Sequence, residues 1–127
     1  MRLTVLAILA AAFVAQPAAA SAEALDGDAI RSLISDRRVY LSTPYGIELP
    51  LDYASNGAVS GDVSGFSLAS MFAPRETGQW WVRDNRLCQK WPSWYDGKTA
   101  CFSLSKASGG RLAWVRDDGL KGTARID

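Results

Sequence analysis

Cys88 and Cys101 constrain this chain more than any other pair of residues. They are its only cysteines, and they bracket two tryptophans, a tyrosine and an Asp-Gly turn in RLCQKWPSWYDGKTACF, Arg86 to Phe102. If they bond across an antiparallel strand pair, Leu87 lies opposite Phe102, Gln89 opposite Ala100 and Trp91 opposite Lys98, with Pro92 to Gly97 as the loop. Side chains alternate along a strand, so Leu87, Trp91, Phe102 and Leu104 share one face, while both cysteines, Lys90, Ser103 and Ser105 share the other. The first set is apolar and the second mostly polar. The cysteine pairing and the hydrophobic pattern thus select the same register, and a one-residue slip spoils both.

Whether the cysteines bond depends on the compartment. The start of the chain, MRLTVLAILAAAFVAQPAAASA, has the three parts of a secretory leader: Arg2, an apolar run from Leu3 to Val14, and small residues at Ala20 and Ala22. The run is too short to span a bilayer and ends at Gln16-Pro17, which favours cleavage before Glu23 over retention as a membrane anchor. With no cysteine at the cleavage point, lipid attachment has no acceptor. Residues 1–22 are therefore read as a signal peptide and 23–127 as one disulfide-stapled domain, periplasmic or secreted, with no stable membrane anchor after cleavage. Metal binding is the competing use of the two thiols. With no histidine in the chain and a spacing that fits no common zinc site, it is disfavoured. A bridge closing a loop of this length contributes on the order of 3 kcal/mol, a large share of the stability of so small a domain.

Without Arg2 the chain carries equal numbers of acidic and basic residues with the signs interspersed, which argues against a nucleic-acid partner or a polybasic membrane contact. Periodicity then divides the domain. LDGDAIRSLISDRR has Ile30, Leu33 and Ile34 at helical spacing behind Asp26 and Asp28, predicting a short helix over Asp28 to Ser35. Beyond Arg38 the pattern is that of strands: two or three through Tyr53 and the Asn56-Gly57 turn, then a hairpin about Asp84-Asn85 in GQWWVRDNRLCQKW. TACFSLS, RLAWVRD and a last strand after Gly119 follow. FSLASMFAP is ambiguous between strand and helix. The fold class is mainly β, a small antiparallel meander curled or closed into a barrel, with one short N-terminal helix.

Trp80, Trp81, Trp91, Trp94 and Trp114 crowd into the second half of the chain. One reading is that large rings fill the core of a domain short of volume. The other is an aromatic surface or pocket built from Trp81, Trp91, Trp94 and Tyr95, for a small apolar or sugar ligand or for an envelope protein. On that reading Trp94 and Tyr95 stand in water on the loop after Pro92.

Catalysis finds little support. The lack of histidine removes Ser/His/Asp and Cys/His arrangements, and a bonded cysteine is no nucleophile. Glu48, Asp52, Glu76, Asp117 and Asp118 are available for acid and base work, but no spacing pairs them. RDDG at Arg116 to Gly119 reads as a charged turn without the ligand pattern of a calcium loop, and GDVSG at Gly61 to Gly65 matches no phosphate-binding motif. No cofactor or metal is expected.

The segment from Gly78 to Ile126 resembles a group of small exported proteobacterial proteins, most of them uncharacterised, that carry a Gly-Trp strand followed by a Cys…Trp…Cys stapled hairpin and a closing strand. The resemblance implies framework roles for Gly78, Trp80, Cys88, Trp91 and Cys101, and no catalytic residues. The expected function is an exported, non-catalytic binding domain of the cell envelope. The alternative is an inhibitor or accessory subunit docking on an envelope enzyme or complex.

Overall fold

The computed structural model describes residues 10–12, 23–42, 46–65 and 73–127. Nearly all of the leader, and Phe66 to Phe72 of the ambiguous stretch, lie outside the described residues. Among the described residues one α-helix, α1 (Gly27–Ile34), precedes eight strands: β1 (Arg37–Ser42), β2 (Glu48–Tyr53), β3 (Ala58–Asp62), β4 (Arg75–Arg83), β5 (Arg86–Lys90), β6 (Ala100–Lys106), β7 (Leu112–Arg116) and β8 (Lys121–Ile126). Each strand pairs antiparallel with the next, and β8 returns to β1 through Val39↔Ile126, Tyr40↔Arg125 and Leu41↔Ala124. The meander is therefore a closed barrel, which leaves no sheet edge open to further pairing.

Local chemistry places the turns. Gly57 has φ 94° and lets Ala54 and Ala58 close the β2–β3 hairpin. Asp84 and Asn85 are both left-handed (φ 51° and 57°), the conformation a two-residue hairpin demands of both central residues. Asn85 also ties the turn to the helix, since its Oδ1 accepts the Gly27 N–H at 2.8 Å. Asp26 caps α1 by accepting the Ala29 N–H at 2.8 Å, and Ile30 and Ile34 are driven completely into the barrel end. The helix begins one residue before the start that its periodicity suggested and ends one residue earlier.

The staple and its register stand as the sequence implied. Cys88 and Cys101 are disulfide-bonded, with Leu87 opposite Phe102 and Gln89 opposite Ala100. Leu87, Phe102 and Leu104 point inward and are buried. The cysteines lie on the outer side of the wall, yet Cys88 is only 1% exposed, enclosed between Trp81, its partner on β4, and the bridge to β6. The ladder does not extend to Trp91 and Lys98, because after Lys90 the chain turns into the barrel.

An eight-stranded barrel is just wide enough for side chains to fill it. Here large rings are matched to inward-facing glycines: a Cβ on Gly122 would stand 2.6 Å from the Trp114 ring, and one on Gly61 would stand 2.5 Å from the Trp94 ring. Edge-to-face contacts join Tyr53 to Trp80 (5.7 Å) and Phe102 to Trp114 (5.6 Å).

Candidate binding site at the mouth of the barrel

The two barrel ends are built differently. The helix closes the end that carries the Asn56-Gly57 and Asp84-Asn85 turns. The opposite end, the mouth, holds the β5–β6 and β7–β8 connections together with the end of β3 and the start of β4. Gly78 makes the inward turn possible, since a Cβ there would lie 2.4 Å from the Lys90 carbonyl oxygen. Trp91 then enters the interior at 1% exposure and Trp94 follows at 6%, their ring centroids 4.6 Å apart. The Trp94 indole N–H donates to the Ala73 carbonyl at 2.8 Å. Trp91 differs: its indole nitrogen is buried and has no hydrogen-bond partner.

This corrects the expectation that Trp94 stands in water. Gly61 leaves a ring-sized vacancy on the inner wall, and a short loop carries Trp94 back into it. The four residues Trp81, Trp91, Trp94 and Tyr95 do not form one pocket. Trp91 and Trp94 pack inside, Trp81 lies outside against the disulfide, and only Tyr95 occupies the rim, 39% exposed.

Glu76 holds the loop in place. It faces Gly61 across the β3–β4 ladder and accepts hydrogen bonds from the Ser93 N–H (2.9 Å), the Trp94 N–H (2.9 Å) and the Ser93 hydroxyl. Beyond this latch the apex carries three consecutive left-handed residues, Tyr95 (φ 57°), Asp96 (φ 57°) and Gly97 (φ 65°). Glycine and aspartate accept this region readily, so Tyr95 is the one strained position of the apex.

Tyr95 is steadied by its neighbour on β7. The Arg116 guanidinium lies 5.7 Å from its ring centroid, within cation–π range, and is itself held by Asp118 through two bonds of 2.9 and 2.6 Å. The hydrogen bond from Arg116, reinforced by the Leu120 N–H, pulls the Asp118 carboxyl down to about 2. Leu120 (45% exposed) lies across the turn from Arg116 and continues the apolar rim, whereas Val115 (48% exposed) alternates to the outer wall beside Ser103 and Lys121.

The interior itself offers little room. A void of about 30 Å³ remains among Tyr53, Gln89, Phe102 and Trp114, against the roughly 300–1,000 Å³ usual for ligand pockets. Its polar feature is the Tyr53 hydroxyl donating to Gln89 Oε1 at 2.7 Å, and burial pushes the Tyr53 phenol well above its ordinary range. A groove of about 620 Å³ lies open on the outer wall of β1–β4, but its charges answer one another: Arg38 with Asp52 at 2.8 Å and Arg75 with Asp62 at 2.9 Å.

The sequence offers Glu76 only as an unpaired carboxylate, Gln89 as the partner of Ala100 and Arg116 as part of a charged turn, and none of them as part of a site. Strand alternation from Leu87 does place Gln89 inside, and that signal was readable. Nothing local marks Glu76, whose partners are 17 or more residues away around the barrel; Arg116 pairs locally with Asp118, but its contact with Tyr95 on a neighbouring loop has no sequence signal. No family model, curated protein or solved structure matches this chain.

Proposed function

We propose that this is an exported, non-catalytic binding domain of the cell envelope that docks on a protein partner through its mouth, with Tyr95, Arg116 and Leu120 as the contact rim. The observation that carries this reading is the contrast between a nearly filled interior and a half-exposed tyrosine fixed by an arginine that is itself fixed by a carboxylate. Tyrosine and arginine dominate the energetics of protein interfaces, and groups already held in place lose less entropy on docking. The leader and the disulfide support the envelope assignment. No helix among the described residues is long and apolar enough to cross a membrane.

The test is site-specific photo-crosslinking in cells. A photoreactive residue at position 120 is expected to give one discrete protein adduct, lost when Arg116→Ala frees Tyr95, while positions 40 and 86 on the wall and far turn give none. Adducts from the wall alone, or a rim adduct indifferent to Arg116→Ala, would overturn the assignment.

A further inference from the structure

We propose that the open groove on the outer wall of β1–β4 is a binding site for a neutral oligosaccharide. This site is separate from the rim contact at the mouth and does not rest on it.

The groove, about 620 Å³, has the size of a ligand site, and strand register gives it its polar lining. Pairing sets Arg38 beside Asp52, Asp52 beside Ser60 and Ser60 beside Thr77, so one outward row crosses four strands with a polar side chain on each. At the usual strand spacing the row is about 14 Å long, enough for a short chain of sugar rings laid across the strands. A second pair, Asp62 beside Arg75, lies next to it toward the mouth. The floor between them carries only short side chains, Pro50, Ser60 and Thr77, so a ring can approach the sheet closely.

The charges choose the ligand. Arg38 Nε and Nη2 donate to the two oxygens of Asp52 at 2.8 and 3.1 Å, and Arg75 Nε lies 2.9 Å from Asp62. A charged ligand would have to part these pairs before making its own. A neutral polyol need not. A carboxylate bonded to one arginine keeps acceptor lone pairs, and a guanidinium bonded along one edge keeps N–H donors on the other. A sugar hydroxyl uses both, because it donates and accepts, and bonds to ionised partners are stronger than those between neutral groups. The pairs are also set in advance of any ligand, which lowers the entropy lost on binding. The Ser64 hydroxyl and N–H, with Arg75 behind them, hold the Asp62 carboxyl below its ordinary value, so it stays an ionised acceptor.

The test is a titration followed by NMR with three neutral tetrasaccharides, chitotetraose, cellotetraose and maltotetraose. Tetragalacturonate and the glucosamine tetramer serve as the anionic and cationic counterparts. At least one neutral chain is expected to saturate in the micromolar to millimolar range, with the largest amide shifts at Ser60, Asp62 and Thr77 and an affinity that salt barely changes. The charged counterparts should bind about tenfold or more weakly. Ser60→Tyr places an aromatic on an outward strand position, which suits the sheet; it should fill the floor and abolish binding while the far-ultraviolet spectrum stays native. Asp52→Ala should weaken binding about tenfold or more, since it removes an acceptor and frees Arg38. Arg116→Ala should leave sugar binding unchanged, so failure of the rim contact and failure of this site give different results. No saturable binding by any neutral chain, tighter binding of a charged one, or shifts centred on Tyr95 and Leu120 would overturn the proposal. Undiminished binding by Ser60→Tyr would do the same.

Discussion

The placement of Trp94 against Gly61 can be tested by adding one methyl group. Gly61 does not have a positive φ, so alanine is tolerated by the backbone there and should stabilise by about 0.4–1 kcal/mol through a less flexible unfolded chain. Its Cβ, however, would lie 2.5 and 2.7 Å from Trp94 Cζ3 and Cη2 and 3.0 Å from Leu51 Cδ2. These are atoms of a rigid ring and a packed core side chain, and overpacking of this kind costs about 1–3 kcal/mol. The net expectation for Gly61→Ala is a loss of about 1–2 kcal/mol, or roughly 5–15 °C in Tm for a domain this small. Trp94→Ala alone should cost about 3–5 kcal/mol, the range of buried aromatic truncations. In the Trp94→Ala background the clash is gone, so Gly61→Ala should be neutral or stabilising by up to about 1 kcal/mol. Urea unfolding of the four proteins, followed by far-ultraviolet circular dichroism with the m-value checked for constancy, gives the coupling directly. Strict additivity, or a Trp94→Ala variant within about 0.5 kcal/mol of wild type, would show that the ring does not occupy the mouth.

Other expectations follow from the same packing. Replacing Cys88 and Cys101 with serine should lower the unfolding free energy by about 2–4 kcal/mol and leave the β spectrum intact, because the bridge lies outside the core; an unchanged Tm would count against this. Gln89→Leu leaves the buried Tyr53 hydroxyl without its acceptor and should cost about 1–3 kcal/mol, largely recovered by adding Tyr53→Phe, a rescue that denaturant curves can detect. The Asp118 carboxyl is depressed in the folded state, so its contribution to the β7–β8 turn is complete above the unfolded value near 3.8 and is lost as pH falls through about 2. Carboxyl NMR should find that low midpoint and see it rise toward 3.8 in Arg116→Ala; a wild-type midpoint near 4 would remove the argument.

The parts of this fold written in local chemistry were legible in the sequence. Alternation through Leu87, Phe102 and Leu104, fixed by one disulfide, determined the β5–β6 register, and Asn56-Gly57 and Asp84-Asn85 marked their hairpins with residues that accept left-handed backbone. The helix followed from Ile30 and Ile34 behind the Asp26 cap. What escaped notice depends on closure. Trp94 sits in a stretch with every mark of a surface loop, and only Gly61, on a strand 33 residues earlier, leaves the space that receives it. Glu76 likewise reads as a surface carboxylate until the barrel brings Ser93 and the Trp94 amide to it. Residues that serve as space for a distant side chain leave no periodic signal.

The proposed docking at the mouth draws on what the other surfaces offer. A closed barrel has no free edge, so a partner cannot add a strand. The wall around the β1–β8 seam is charged but paired with itself: Arg125 bonds Glu48 at 2.8 Å, holding that carboxyl below its usual range, and stacks 3.9 Å over Tyr40. Arg38 and Asp52 do the same one strand on. A partner contacting this surface would have to break existing ion pairs to make its own, which returns little net affinity. The helix end is closed by Ile30 and Ile34 beneath a capped backbone, and its apolar groups are already buried. At the mouth Tyr95 and Leu120 remain exposed beside Arg116, which Asp118 orients. Arg116 is paired like the wall arginines, so what distinguishes the mouth is apolar area: contact at Tyr95 and Leu120 gains burial and leaves the Arg116–Asp118 pair in place.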